Sequence, residues 1–523
     1  MGEQQITTSK RLVYNTFFNV VTLVSNGVIG FFLVPFFLGR LGEVRYGVWV
    51  LIAGSIFHYG PLLSMGLNSA INRYIPVCLA KNDDEGIQRV ISTSLFFFFI
   101  PAIVLIVATV VVYYNLDSWF AIRPELLGSA EMLLLVVGFC FACAMPLQSF
   151  SAVLSGLQRY DIINLAILST LLARSALLVV LLSHGCGLLT MGVVFGLSEI
   201  LMRTSQLIFT RKLLPQFSFS LTKVDFRLLR EMLTYGMNTF LYAAGAAIIS
   251  WASIIVIGVL MGESEVSQFA IVTYVVLFLS QLLQALTAAI KPAVSDLDAR
   301  DDQLRVKEIS FLTQKYSLLL LIPGGCFLVA MGREFLWIWV GGKSQAPSVI
   351  DEMAVILAIL AVGHCLMLAQ YSNFLVLVGR GEHKIFGILT ALMAIFSVFA
   401  SVVAVKVLDW GLPGIAWSNF LPMALISGII LPIYFNWKMR ISFSESARTV
   451  WRPALLGSLP GVAVITLWKY VAAPNSWPEL MAVLIAASLV TLVSGWFLSL
   501  EEVERKRFAQ IALRRQPPNK FGG

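Results

Sequence analysis

Ten polar side chains lie within or at the ends of long apolar runs, in two groups whose residue types could do chemistry. Asn68, Asn72 and Arg73 close one apolar run, Gln281, Gln284 and Lys291 close another, and Asn238 stands near the start of a third. Amides offer donors and acceptors together, and one cation stands at the end of each of the first two sets. Those types suit an anionic headgroup such as a phosphate. The competing assignment makes Arg73 and Lys291 ordinary basic anchors at a membrane surface. The second group is Arg174, Glu199 and Arg203. Arg174 and Glu199 sit near the middle of consecutive apolar runs, so antiparallel helices would bring them to one depth as an ion pair. Arg203, four residues after Glu199, competes for the same carboxylate. This group reads first as a structural clamp and second as part of a transport route.

The chemistry of an enzyme is missing. There is no HExxH, no paired-histidine metal site and no G-x-S-x-G. Gly342-Lys343-Ser344 resembles the end of a phosphate loop, but Trp337 occupies the earlier glycine position. Cys140 and Cys143 form a lone C-x-x-C inside an apolar run with no second pair, so small apolar filler is the better reading of them. The chain reads as neither an enzyme nor a metalloprotein, and no cofactor is implied.

The elements that must carry these residues follow from composition. Of 523 residues 58% are hydrophobic and only 13% are charged, whereas a soluble chain carries roughly a quarter charged residues. Mean hydropathy is +0.84. Gly30 to Arg73 shows the plan: two apolar stretches flank the polar turn Gly39-Arg40-Leu41-Gly42-Glu43-Val44-Arg45. An apolar hairpin of that length reads as two membrane-spanning helices. Continuing along the chain, spans are expected near 13–39, 46–72, 88–114, 128–152, 161–183 and 187–210, then 234–261, 266–290, 309–332, 349–376, 384–407 and 412–436, and finally 452–472 and 478–499. Between the sixth and seventh, Arg211 to Leu233 reads as an amphipathic helix lying on the membrane surface. The fold class is therefore an all-α polytopic membrane protein of about fourteen transmembrane helices.

Assigning alternate loops to one side places 29 of the 37 Lys and Arg with the N-terminus and seven opposite, with Arg174 inside a span. That bias predicts a cytoplasmic N-terminus and a cytoplasmic basic tail. It also accounts for the net charge of +8 without nucleic acid, since the partner of a basic face is anionic lipid.

An internal repeat organises the chain. Leu41-Gly42-Glu43 returns as Met261-Gly262-Glu263; Arg73, Pro76 and Asp83-Asp84 return as Lys291, Pro292 and Asp301-Asp302; Gly187-Leu188 returns as Gly411-Leu412. The offsets fall between 216 and 224. Six spans per copy gives both halves one orientation, related by an axis along the membrane normal. The expected division is 1–222 and 223–440 as six-helix lobes, 441–499 as two additional helices, and 500–523 as a basic tail.

The stretches LVPFFLGRLGEVRYGVWVL (33–51), GLNSAINRYIP (66–76) and VLSGLQRYDIINLA (153–166) resemble the polysaccharide-transporter branch of the multidrug/oligosaccharidyl-lipid/polysaccharide (MOP) exporter superfamily. The resemblance covers about the whole chain in span count and spacing. It implies two six-helix lobes in a V-shaped bundle plus two C-terminal helices, alternating access without ATP, and a bacterial cytoplasmic membrane location. It further implies a polyprenyl-pyrophosphate-linked oligosaccharide as substrate, with cleft cations meeting the pyrophosphate. Arg73 fits the family's pattern beginning at Gly66, and Lys291 matches through the internal repeat. Polysaccharide polymerase and chain-length proteins are the further partners it suggests.

Three other readings compete. A cation-coupled drug or metabolite antiporter of the same superfamily would place acidic residues at membrane depth in the first, second, seventh and eighth spans, and none is evident there. A membrane polymerase or ligase would carry a long outer loop, and no loop here exceeds about thirty residues. A non-transporting scaffold of an envelope-synthesis complex remains open.

Overall fold

The computed structural model describes residues 2–215, 219–287, 290–341, 346–380 and 383–506, with side chains from Phe18 onward except at 238–239, 241–242, 246, 285–286, 291–292, 299, 383–384 and 386. The side chains of Asn238 and Lys291, the segment Gly342-Lys343-Ser344 and the basic tail past residue 506 lie outside the described residues. Among the described residues every regular element is helical. Fourteen helices are long and apolar enough to cross a membrane, one for each expected span. Their surfaces invert the pattern of a protein in water. Leu201, Phe399 and Leu492 are exposed while Ser92, Thr93, Ser94 and Gln206 are fully buried. Apolar side chains face lipid and polar ones turn inward, where Ser94 donates to the Val90 carbonyl and Thr93 accepts from Asp225 N.

In chain order, α1 spans Gly2–Leu41, α2 Glu43–Trp49, α3 Ser55–Tyr59 and α4 Leu67–Ala80. Next come α5 Asp84–Tyr114, α6 Leu116–Trp119, α7 Pro124–Ala144, α8 Gln148–Gly156, α9 Tyr160–Ser183 and α10 Leu188–Leu213. Then follow α11 Phe226–Leu260, α12 Glu263–Thr287, α13 Ile290–Ala299, α14 Gln303–Leu336, α15 Pro347–Ala369 and α16 Tyr371–Gly379. The series ends with α17 His383–Lys406, α18 Gly411–Leu425, α19 Leu431–Lys438, α20 Phe443–Ser446, α21 Arg452–Val471 and α22 Trp477–Leu498.

The surface helix expected over Arg211 to Leu233 is not a separate element. Helix α10 runs on to Leu213. A single turn follows at Leu221–Lys223, and Asp225 then caps α11 by accepting from the backbone N–H groups of Arg227 and Leu228. No proline interrupts the 35 residues of α11, so the end of the amphipathic stretch, from Phe226, forms the first turns of the helix that carries the seventh span.

The chain divides into two compact units. The first comprises Met1–Ala288, Val340–Val349 and Glu382–Pro422. Its main core lies where α4, α5, α7 and α8 meet, around Leu67, Ile71, Ile91, Phe98, Met145 and Phe150. The second comprises Ala289–Trp339, Ile350–Gly381 and Met423–Gly523. Within it α21 and α22 form a close hairpin. A Cβ on Gly457 would lie 2.1 Å from Ser499 Oγ, and one on Gly461 would lie 1.9 Å from Thr491 Oγ1. That is a Gly-x-x-x-Gly contact, in which missing side chains let two helices approach in lipid.

The repeat is also visible in local geometry. Asn82 adopts a left-handed φ of 52° before Asp83, which caps α5 through Gly86 N. Asp301 adopts φ 57° before Asp302, which caps α14 through Arg305 N. The matching pairs are thus Asn82-Asp83 and Asp301-Asp302, one residue out of register with the sequence alignment of the two acidic pairs.

Candidate functional site

Two spans of the first unit break, and each break contains a proline. In the second span, Gly60 and Pro61 open a tighter turn over Gly60–Ser64. Met65 (φ 48°) and Gly66 (φ 74°) then turn left-handed before α4 restarts at Leu67. Gly66 lies directly against α11: a Cβ there would come within 2.1 Å of the Gly236 carbonyl oxygen. In the fourth span α7 stops at Ala144, the chain turns through Met145-Pro146-Leu147, and α8 restarts at Gln148.

The half-helices restarting after these breaks, α4 and α8, meet α1, α9 and α10 around a cavity of about 400 Å³. Helix α1 contributes Asn19; α4 contributes Asn68, Ser69 and Asn72; α8 contributes Gln148, Ser151 and Ser155; α9 contributes Tyr160 and Asn164; α10 contributes Arg203. Helical spacing puts each set on one face, at i and i+4 for Asn68/Asn72 and Tyr160/Asn164, and at i, i+3 and i+7 for Gln148, Ser151 and Ser155. The lining is internally ordered. Asn164 Nδ2 donates to Asn19 Oδ1 at 2.6 Å and to the Tyr160 carbonyl at 2.8 Å. Ser155 Oγ lies 2.9 Å from Tyr160 Oη. Asn68 Oδ1 is buried without a protein partner, which leaves an acceptor that a ligand donor would satisfy.

Arg203 is the basic side chain of this cavity, and its charge is balanced by Glu199. Its Nε and Nη2 lie 2.9 and 2.8 Å from Glu199 Oε1 one turn earlier, and Nη1 reaches towards Gln206 Oε1 at 3.5 Å. Glu199 itself does not line the cavity, so the wall carries amides, hydroxyls and one arginine but no carboxylate. Such a surface can hydrogen-bond a hydroxyl-rich ligand and tolerates a negative charge on it.

Other expected site residues stand elsewhere. Arg174 lays its guanidinium over the Phe195 ring, 4.2 Å from the centroid, while Glu199 makes its close contact with Arg203. Arg73 turns away from Asn72 to cover the Tyr235 ring of α11 at 4.5 Å. Gln281 on α12 is half-buried and lies near Gly27 of α1, and Gln284 is exposed. Reading the sequence alone passes over Gln148, Ser151, Ser155, Tyr160 and Asn164. Their one signal was the helical spacing of polar residues inside apolar segments.

In the second unit Gln370 and Asn373 stand 222 residues after Gln148 and Ser151, also at a helix break, between α15 and α16. There the polar groups satisfy one another. Asn373 Nδ2 donates to Gln370 Oε1 at 2.8 Å, Ser310 Oγ to Asn373 Oδ1 at 3.2 Å, and Gln314 Nε2 to the Ala369 carbonyl at 3.2 Å. All four side chains are buried.

Comparison with known proteins agrees with this architecture. Residues 21–180 match the MatE family model. The chain is 21% identical over 508 residues to "Uncharacterized membrane protein EpsK" of Bacillus subtilis, covering 95% of this chain and 96% of that one. It is 23% identical over 137 residues to "Probable low-salt glycan biosynthesis flippase Agl15" of Haloferax volcanii, 26% of this chain and 29% of that one. Among solved structures, the lipid II flippase MurJ in an inward closed conformation superposes with a TM-score of 0.64 at 14% identity, over 98% of this chain and 100% of that one. An inward-facing multidrug resistance MATE family transporter of the MOP superfamily gives 0.63 at 16% identity, over 82% and 94%. The MatE match covers about the first third of the chain, and the structural matches extend the likeness to the rest. Its fold is that of the MATE and MurJ transporters, and the MurJ match extends over nearly its whole length.

Proposed function

We propose that this chain is a MOP-superfamily flippase that moves a polyprenyl-pyrophosphate-linked oligosaccharide across the cytoplasmic membrane by alternating access. The observation that carries the reading is the cavity wall of amides, hydroxyls and a single arginine with no carboxylate. A sugar presents many hydroxyls that each need a donor or an acceptor, which side-chain amides supply together. A cationic drug would instead call for carboxylates. A curated relative named as a glycan biosynthesis flippase and the whole-length likeness to a lipid II flippase support the same direction.

In this reading Asn68, Asn72, Asn164 and Tyr160 orient the glycan and Arg203 meets negative charge on it. Arg73, adjacent in the chain to Asn72, is the second cation. Lys291, Asn238, Gln281 and Gln284 are further proposed substrate contacts. The six-helix lobes 1–222 and 223–440, the added helices 441–499, cytoplasmic termini and partnership with polymerase and chain-length proteins are parts of the same proposal. The breaks at Met65-Gly66 and Met145-Leu147 supply the bending points that alternating access needs.

The test is complementation of a strain lacking this protein with Asn164→Leu and Arg203→Ala variants of verified membrane abundance. Loss of surface glycan with accumulation of cytoplasm-facing lipid-linked intermediate supports the reading. Full activity in both variants removes the cavity from the substrate path and favours a scaffold. The similarity to MATE transporters sustains the antiporter alternative. Wild-type protein that drives gradient-dependent efflux of a cationic dye without affecting glycan would establish it.

A further inference from the structure

The first turns of α9 have two working faces. Tyr160, Ile163, Asn164 and Ile167 face the polar cavity. Asp161, Ile162 and Leu165, on the reverse, face a second cavity of about 460 Å³, closed by Phe18 of α1 and by Phe209, Lys212 and Leu213 of α10. Its walls are aromatic and aliphatic, and Leu165 and Leu213 are exposed at its edge, as side chains in contact with acyl chains would be. The charges nearly cancel. Arg159 Nε and Nη2 donate to the Asp161 carboxylate at 2.9 and 2.8 Å. That leaves Lys212, exposed and with its Nζ 5.7 Å from the Phe209 ring centroid, as the net positive charge of the groove.

We propose that this groove seats the headgroup of one monoanionic phospholipid, with its phosphodiester at Lys212 and its acyl chains along Leu165 and Leu213. Charge decides the occupant. One net positive charge balances a single phosphodiester, whereas a pyrophosphate would bring two or more negative charges to one cation. The location gives the lipid a consequence. It would press on the reverse face of the helix whose Asn164 bonds Asn19, bracing one wall of the polar cavity from behind. The inference does not depend on what that cavity carries.

The full-length protein is reconstituted in phosphatidylcholine nanodiscs with and without phosphatidylglycerol. Phosphatidylglycerol retained after gentle detergent release is counted by native mass spectrometry, and the unfolding midpoint is recorded. Wild type is expected to retain one phosphatidylglycerol and to unfold at a higher temperature when it is present. Lys212→Gln should weaken retention about fivefold, the effect of one basic side chain on an anionic lipid. Leu165→Trp, which fills the groove without altering charge, should also abolish the shift. Lys81→Gln, at an exposed lysine outside the groove, should behave as wild type. Wild-type retention in both Lys212→Gln and Leu165→Trp overturns the proposal. An equal loss in Lys81→Gln also overturns it, by reducing the effect to bulk surface charge. Displacement of the retained lipid one-for-one by added polyprenyl pyrophosphate overturns the choice of occupant and assigns the groove to that lipid instead.

Discussion

The guanidinium of Arg203 lies 2.8 Å from the carboxylate of Glu199 one turn earlier on the same helix, while Arg174 on the neighbouring helix rests over Phe195. Neighbours on one helix meet without any rearrangement between helices, and both partners of the resulting pair are largely buried, with 19% and 13% of their side chains exposed. Glu199 holds Arg203 in place at the cavity wall, so the two arginines should differ in their effect on transport. Arg203→Ala is expected to reduce surface glycan about tenfold or more, the scale of a lost charge-assisted contact to substrate. Arg174→Ala should leave transport within a few-fold of wild type and lower thermal stability instead. Quantified surface glycan at matched membrane abundance separates them.

Asn164 and Asn19 tie α9 to α1 through a 2.6 Å hydrogen bond. Replacing either with leucine breaks the same bond, so the two effects should not add. A double-mutant cycle on the unfolding midpoint in nanodiscs is expected to give a coupling of about 0.6 kcal/mol and at most about 1.7, the measured span of such bonds between membrane helices. Strict additivity would mean that the bond does not contribute.

Gly66 adopts φ 74° and touches the Gly236 carbonyl, and no side chain fits either requirement. Gly66→Ala should cost roughly 1–2 kcal/mol for the left-handed conformation alone, plus the displacement of α11 from α4. Gly39→Ala, at a position with open space around it, is the matched control and should be silent. Thermal unfolding of the two variants side by side is the measurement.

Within the second unit Lys315 Nζ lies 2.7 and 2.8 Å from the two oxygens of Glu504, and their side chains are only 4% and 11% exposed. Glu504→Ala strands a buried ammonium and should destabilise the protein by roughly 3–5 kcal/mol. The pair Lys315→Met with Glu504→Leu should recover most of that loss, because the charge and its counterion leave together. Truncation after Leu500 should match Glu504→Ala in thermal stability.

Sequence and structure divide the account along a physical line. Crossing hydrocarbon demands about twenty apolar residues in a row, so all fourteen spans were legible from the chain, as was the repeat. The absence of catalytic motifs was equally plain. Asn68, Asn72 and Arg203 were visible as polar residues in apolar surroundings, but they were assigned to separate groups. Bringing them into one cavity with Asn164 and Gln148 was the work of tertiary structure. In water, apolar periodicity tells which face of a helix turns inward. In a bilayer both faces are apolar, so that signal disappears and the facing of α8 towards α4 and α9 goes unannounced. The same holds for the partner of Glu199 and for the contrast between the repeat-related positions. Gln148 and Ser151 face a cavity, whereas Gln370 and Asn373 are packed against Ser310 and Gln314. Hydropathy by itself determined that this chain lives in a membrane and how many times it crosses. Which polar groups converge was decided only by helix packing, because in lipid that choice depends on close contacts and hydrogen bonds that leave no period in the sequence.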